Sequence, residues 1–457
     1  MDNIRFKNYV VTENTTIKEL LERRDTYKIK TFLVEDLVNS RKIVGTVSDG
    51  DIRRFALRHD EPPLLVRQVI KKDYFYIYED DDFASKILEF DVSKGAVPIL
   101  DREKNLVDIY CGSNLSTYVE NNTFGAFVSI APTRITFAGG GTDVASWFRS
   151  NDGTCINAAI SKCARVHFEI RDDAVYVIKS QNTGQEWLLT KDDLHKSADK
   201  NLIFNCLKKF PSLPGLNINI QCDYAPGTGL GGSSALCVAL VNGCSKILGI
   251  VLSKNELSSL SYEIERYDTE IKGGWQDQIA SARGGVNVCR FSKNGMVINQ
   301  LSLTPSEFDY LSNNLFLFPV GDSRSSSRIH KDLDEVRHEE NFQKNMIEIQ
   351  RIATQAEKLF SEGNLDGLGA LMHEGWELKR KLSPSVTNEA VDYLYDKLIS
   401  FGGSGGRLIG AGGSGYVLMM VPPAVQLAFI GCCENAELRW ERVSFDYQGA
   451  RLIGLKR

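Results

Sequence analysis

Histidine is scarce. There are six in 457 residues, none in an H-E-x-x-H or similar ligand spacing, so a histidine-built zinc site is not expected. The ten cysteines include no C-x-x-C pair, and the adjacent Cys432 and Cys433 are badly placed to bridge each other. Free, mostly buried thiols in a reducing, cytoplasmic setting are the expectation. No apolar run reaches the about 18 residues of a spanning helix. The N-terminal "MDNIRFKNYVVTENTT" has no apolar h-region, so no signal peptide is expected. Nor is there a basic excess. With 54 Lys and Arg against 59 Asp and Glu the net charge is −5, which gives no reason to expect nucleic acid or an anionic membrane as partner. What is present is an ordinary globular composition, 42% apolar and 25% charged, in a chain long enough for two or three domains.

Three textures follow one another. Residues 1–122 carry short apolar strands and few glycines: "KTFLVED" and "KIVGTVSD" read as strands and "DIRRFALRH" as a helix capped by Asp51. "AVPILDREKNLVDIYC" repeats strand, acidic turn and strand, an approximate duplication with a period near sixty residues. "SNLSTYVENNTFG" reads as a polar linker. Residues 126–327 alternate strands such as "FVSIAPTRITFAG" and "LNINIQCDY" with helices. Residues 328–457 open on one long helical stretch, "DEVRHEENFQKNMIEIQRIATQAEKLFSEG", and include a glycine-rich loop running into a strand, "GGSGGRLIGAGGSGYVLMMV". An α+β enzyme with a cleft between two lobes is the expected class.

The densest signal is "DYAPGTGLGGSSALCVAL", residues 223–240. Gly227, Gly229 and Gly232 formally match G-x-G-x-x-G, but the residues that follow read as helix, turn and helix, without the strand that a dinucleotide fold requires. No G-K-[ST] follows, against a Walker loop, and no H-R-D or D-F-G accompanies it, against a protein kinase. A plain turn before a helix and a triphosphate-binding loop at a helix N-terminus remain. In the second, glycines allow close backbone approach, and Ser233 and Ser234 add hydroxyls for phosphate or Mg²⁺.

"PGTGLGGSSA" resembles the second motif of the GHMP small-molecule kinases, the group of galacto-, homoserine, mevalonate and phosphomevalonate kinases. "APTRITFAGGGTDV" (131–144) resembles the first motif and "GRLIGAGGSGYVLMMV" (406–421) the third, in the family's order. The resemblance covers about 126–457. It implies a two-lobed GHMP kinase fold with an ATP-binding domain (126–327) and a C-terminal domain (328–457). ATP would lie against Pro226, Gly227, Gly229, Leu230, Gly231, Gly232, Ser233 and Ser234. Gly232 stands where many members have the first of two serines, so Ser233 matches the Mg²⁺-side serine, with Ser234 as its neighbour.

By the same resemblance Asp277, in "GGWQDQ", is the catalytic aspartate beside the acceptor hydroxyl. Glu265 is the Mg²⁺ ligand, with Glu263 as fallback. Alone, either glutamate would read as a solvated helix face. Arg134 is the cation that offsets developing charge, or else an ordinary strand-end arginine. Asp143 resembles a sugar-hydroxyl binder and could also cap a helix. Gly140, Gly141 and Thr142, with Gly412 and Gly413 of the third motif, would border the acceptor.

"FAGGGTDV", "GGWQDQ", "SRSSSRI" and "LMHEGWELKRKLSPSVTN" resemble the sugar-phosphate branch, whose best-known member phosphorylates D-glycero-D-manno-heptose 7-phosphate at C1. Trp275 departs from the smaller or basic residue of many relatives. Arg324, Ser325, Arg328 and Lys331 suit an acceptor that already carries a phosphate. Lys379 and Lys381 of "WELKRKLS" either join them or lie on a solvated face. A fucose- or galactose-type sugar 1-kinase is the alternative enzyme. "IVGTVSDGDIRRFAL" resembles a CBS domain, which makes residues 1–122 an α/β CBS pair. Thr46, Ser48 and Asp51 would then meet an adenine nucleotide, and the pair could make a homodimer. An adenylate-sensing protein with degenerate kinase lobes is the alternative from another class, opposed by the intact Asp277, Arg134 and glycine loops.

Overall fold

The computed structural model describes residues 8–27, 29, 31–37, 41–56, 58–59, 63–79, 81, 96–110, 126–197, 199–321 and 326–455. Contacts divide the chain into Met1–Phe127 with Ile453–Arg457, and Val128–Leu452. The polar stretch at 113–125 lies outside the described residues.

The first unit runs β1 (Val10–Thr12), α1 (Ile17–Tyr27), β2 (Thr31–Glu35), β3 (Ile43–Ser48), α2 (Asp49–Ala56), β4 (Ile77–Tyr78), β5 (Val97–Leu100) and β6 (Leu106–Tyr110). The duplication in the sequence recurs in the pairing. β1 is parallel to β2 and β2 antiparallel to β3, while β4 is parallel to β5 and β5 antiparallel to β6. Alternation places Phe32 and Val34 in one apolar cluster with Leu20 and Val47, and Leu33 in another with Ile43, Leu100 and Ile109. Asp51 does not cap α2, because that helix starts two residues earlier. The Asp51 carboxylate instead reaches back, accepting from Ser48 N (2.8 Å) and Ser48 Oγ (2.6 Å), while Arg54 pairs with its other oxygen.

The second unit runs β7 (Ala126–Ala138), α3 (Ala145–Asn151), β8 (Gly153–Arg171), β9 (Val175–Ser180), β10 (Gln185–Thr190), α4 (Lys191–Lys196), α5 (Leu202–Lys208), β11 (Gly215–Cys222), α6 (Gly232–Ile247), α7 (Lys254–Glu263), α8 (Gln276–Arg283), β12 (Val286–Ser292), β13 (Gly295–Leu301), α9 (Pro305–Asn314), β14 (Leu315–Val320), α10 (Ser326–Val336), α11 (Glu340–Glu362), α12 (Leu368–Lys379), α13 (Glu389–Ser400), β15 (Gly405–Leu408), β16 (Gly415–Met420), α14 (Gln426–Asn435) and β17 (Glu441–Arg442). One sheet has the order β10-β9-β11-β8-β12-β13, with β7 also paired to β8. Helix α6 closes on it at Gly243, where a Cβ would stand 2.1 Å from the Phe168 ring. A second sheet, β15-β16-β14-β17, forms around Phe316, Trp376, Tyr395 and Phe429.

The long helix expected from residue 334 onward is broken. α10 ends at Val336 and α11 begins at Glu340, with Gln343 Nε2 donating to the Arg337 carbonyl in the gap (2.6 Å). Beyond the break, Phe342, Met346, Ile349, Ala353, Ala356 and Phe360 form the buried stripe of an amphipathic helix. Among the described residues no helix is long and apolar enough to cross a membrane.

Candidate active site

The glycine loop turns on three left-handed residues: Gly227, Gly229 and Gly231 each have φ 75°. Only glycine takes that conformation without penalty. α6 opens at Gly232 with Gly231 in the cap position, so the loop delivers a helix N-terminus. The Tyr224 hydroxyl donates to the Gly232 carbonyl (2.6 Å), and a Cβ at Gly232 would lie 2.3 Å from the Tyr224 ring. That ring leaves no room for a side chain at Gly232. No strand follows the loop until β12, as its sequence implied.

Beneath the loop lies a buried carboxylate. α7 gives way to a π-helical turn, Ile264–Asp268, which carries Glu265. The fallback, Glu263, is exposed and pairs with Lys209 (2.7 Å). Glu265 Oε1 accepts from Ser233 Oγ (2.6 Å), and Oε2 accepts from Ser234 Oγ and Gln278 Nε2, both 2.6 Å. Arg266 adds an ion pair at 3.2 Å and ties the turn to Ile271 and Gly274 through their carbonyls. Ser234 is fully buried, whereas Ser233 is exposed on a cavity wall.

Asp277 stands on the first turn of α8. Its Oδ1 accepts from Arg134 Nε at 2.8 Å. Arg134 is 5% exposed, so the reading of an ordinary strand-end residue falls. Its backbone N–H donates to the Leu230 carbonyl and its guanidinium to that of Gly229, which clamps the loop to β7. Asp143 does not cap the helix that follows it; Val144 occupies that position. Its carboxylate instead accepts from Gln276 N (3.1 Å), Gln276 Nε2 (3.2 Å) and Gly141 N (3.1 Å), and so caps α8 from across the site. Burial, with the Asp277 charge adding to it, raises the Asp143 carboxyl above its usual range. Trp275 stacks on Tyr262 with centroids 3.6 Å apart, which fixes the turn before Gln276.

The third glycine loop packs directly on the second. A Cβ at Gly415 would meet the Thr228 carbonyl at 2.4 Å, and one at Gly229 that of Ile409 at 2.4 Å. Lys379 does not sit on a solvated face. It is 6% exposed, donates to the Gly410 carbonyl and lines the cavity, while Lys381 is exposed. Burial first, then the charges of Arg407 and Arg134, push the Lys379 ammonium well below its ordinary value. Burial, then the Arg134 charge, brings Arg407 down to about 10.

All of this surrounds one cavity of about 590 Å³. Its wall carries five cations, Arg134, Arg266, Lys272, Lys379 and Arg407, against the carboxylates Asp143, Glu265 and Asp277. In a chain of net charge −5 this is a local positive excess suited to a polyanion. The Nε atoms of Arg266 and Arg407 are buried there without a protein partner.

Comparisons with known proteins point to one family. Residues 200–285 match the GHMP kinases N terminal domain, and residues 356–428 match the GHMP kinases C terminal domain. Two stretches of the chain thus match GHMP kinase models, and its homologues include a heptose phosphate kinase. It is 27% identical over 330 residues to a D-glycero-alpha-D-manno-heptose 7-phosphate kinase of Campylobacter jejuni, covering 70% of this chain and 96% of that one. It is 25% identical over 317 residues to a bifunctional fucokinase/GDP-fucose pyrophosphorylase of Arabidopsis thaliana, covering 64% of this chain and 30% of that one. A crystal structure of a D-glycero-D-manno-heptose 1-phosphate kinase from Bacteroides thetaiotaomicron shares the fold, with TM-score 0.61 and 24% identity over 72% of this chain and all of that one. The protein is therefore an ATP-using phosphotransferase with a hydroxyl group of a sugar as acceptor.

Of the residues expected from the sequence, Pro226, Gly227, Gly229, Gly231, Gly232 and Ser233 line the cavity, together with Gly140, Gly141, Asp143, Arg134, Glu265, Asp277 and Gly412. Leu230, Thr142, Ser234 and Gly413 act behind it. The Thr142 hydroxyl, for example, donates to the Gly139 and Thr154 carbonyls and holds the turn. Arg324 and Ser325 lie outside the described residues, as does the side chain of Arg328. Sequence reasoning missed Gln276, Arg266 and Arg407. It also missed Ser180, Asn182 and Thr183 at the β9–β10 turn, where only a short polar "SQNTG" marks the position.

Proposed function

We propose that the protein transfers the γ-phosphoryl group of ATP to the anomeric hydroxyl of a sugar phosphate, with D-glycero-D-manno-heptose 7-phosphate as the first candidate. The observation that carries the reaction is the Arg134–Asp277 pair facing the cavity beside the glycine loop. Arg134 holds Oδ1 and leaves Oδ2, beside Gly231, to take the acceptor's proton. The acceptor oxygen bonds to the γ-phosphorus as the bond to the bridging oxygen of ADP breaks. Arg134 and the α6 N-terminus then face the charge that builds up. The choice of acceptor is supported by the Campylobacter relative, nearly all of whose length is covered.

Mg²⁺ fits the donor set on the wall. Ser233 Oγ and the Glu265 carboxylate supply hard oxygens, and the remaining ligands would be phosphate oxygens and water. An ion held there would neutralise phosphate charge. The test is product analysis by phosphorus NMR after incubation with ATP and the heptose 7-phosphate. A second phosphate on the anomeric carbon supports the reading, and an unchanged substrate removes it.

We further propose that residues 1–122 form a CBS pair that takes an adenine nucleotide at Thr46, Ser48 and Asp51. The recurring strand pairing and the carboxylate pre-set at the start of α2 support it. Calorimetry with AMP on the full chain tests it. Heat that Asp51→Ala abolishes supports the site, and heat unaffected by that change, or none, removes it.

A further inference from the structure

A second cavity, of about 380 Å³, shares Gly140, Gly141, Val144, Leu333 and Lys379 with the catalytic cavity. The two cavities therefore adjoin at these residues. The shared wall at Gly140 and Gly141 carries no side chain. A Cβ at Gly141 would have only Met346 Cε within 4 Å, at 3.7 Å, and Gly141 has φ 102°. The floor is apolar, built by Trp147, Phe342 and Met346. The far end is polar and cationic. The break between α10 and α11 places Arg337 and His338 on its lining.

Arg337 donates through Nε to His338 Nε2 at 3.2 Å. Among the described residues its guanidinium has no carboxylate partner, which leaves its outer N–H groups as a fork. The one carboxylate on this lining, Asp334, accepts from Ser146 Oγ at 3.2 Å. A guanidinium with a free fork beside an imidazole, with buried Lys379 at the shared wall, is the chemistry that recognises a phosphomonoester.

We propose that this cavity is the subsite for a terminal phosphate on the acceptor, with Arg337 as the principal contact and His338 beside it. The inference rests on the sugar-phosphate reading above and gives it a structural basis: the reacting hydroxyl lies at Asp277 and the acceptor's tail passes over Gly140–Gly141. A neutral hexose would leave the subsite empty. The enzyme therefore gains specificity from an anchor remote from the reacting atoms.

The test compares full-length wild type, Arg337→Ala, Arg337→Lys and Asn151→Asp, each checked by thermal melt. Initial rates are taken with D-glycero-D-manno-heptose 7-phosphate and with the unphosphorylated heptose. Arg337→Ala should raise KM for the phosphorylated acceptor about 30-fold with kcat within about threefold, and shift KM for the neutral sugar and for ATP less than about twofold. Arg337→Lys should recover part of the loss. Asn151→Asp, which adds a negative charge to the same lining without removing a cation, should raise the same KM. Equal effects on both acceptors, or none, would overturn the subsite while leaving the sugar-phosphate reading intact. A wild type that uses only the unphosphorylated sugar would overturn both.

Discussion

Gly410 and Gly229 pass so closely that a Cβ on Gly410 would stand 2.6 Å from Gly229 Cα. Gly410 also has φ 92°, where side chains are strained. Two loops far apart in sequence thus close the site as one backbone surface. Gly410→Ala should cost about 2–4 kcal/mol and lose ATP-dependent activity, because either the clash or the strain must be relieved by moving the phosphate loop. The matched control is Gly431→Ala in α14, where nothing lies within 4 Å of the new Cβ. It should stabilise by about 0.5–1 kcal/mol. Chemical denaturation of both variants checks the pair.

Asp277→Asn should lower kcat about 100-fold and change KM for ATP less than about twofold, because an amide keeps the shape but cannot take the acceptor's proton. The Arg134 contact can persist through the amide oxygen, so thermal stability should stay near that of wild type. Steady-state kinetics beside a melting curve separates the two effects. A variant within twofold of wild type would remove Asp277 from the chemistry.

The loops, and the residues on them, could be read from the sequence because glycine spacing reports backbone geometry directly. Gly227, Gly229 and Gly231 need positive φ, and that need is written in their identity. The partners were not legible. Arg407 comes from a strand far along the chain, and "GRLIG" does not say that its arginine ends buried 3.3 Å from the Phe137 carbonyl. Lys379 sits in "WELKRKLS", where a buried and an exposed lysine look alike; α12 packing against the third loop decides which is which. The sequence leaves Asp143 open as a sugar-hydroxyl binder or a local cap; its acceptors serve α8, a long-range contact that periodicity cannot encode.

The two serines should separate. Ser234→Ala removes a buried hydroxyl that donates to Glu265 and accepts from Gln278 Nε2 (3.1 Å). It should cost about 1–3 kcal/mol of stability. Ser233→Ala, on the cavity wall, should cost less than about 1 kcal/mol but raise the Mg²⁺ requirement and the KM for ATP. If Ser234→Ala instead gives the Mg²⁺ phenotype at wild-type stability, the roles are reversed.

Lys379 carries a stability penalty with a definite sign. Its folded pKa lies below 10.5, so between the folded and unfolded values the native state binds fewer protons than the unfolded chain. Stability therefore rises with pH through that window. The penalty is complete below the folded pKa and has gone above about 10.5. Lys379→Met should raise Tm at pH 7 by about 2–4 °C, with the gain shrinking as pH increases, while kcat/KM falls about 10-fold or more. Scanning calorimetry across pH, with kinetics at pH 7, tests both halves.

The central claim is that this cavity moves a phosphoryl group from ATP to a sugar that already carries a phosphate. Its most direct test is ADP release by the purified full-length chain with ATP, Mg²⁺ and a matched panel of sugars and their phosphates. The account predicts acceptor-dependent ADP formation that is fastest with a heptose 7-phosphate and abolished in Asp277→Asn. ADP formation with every sugar phosphate no faster than without acceptor would contradict it.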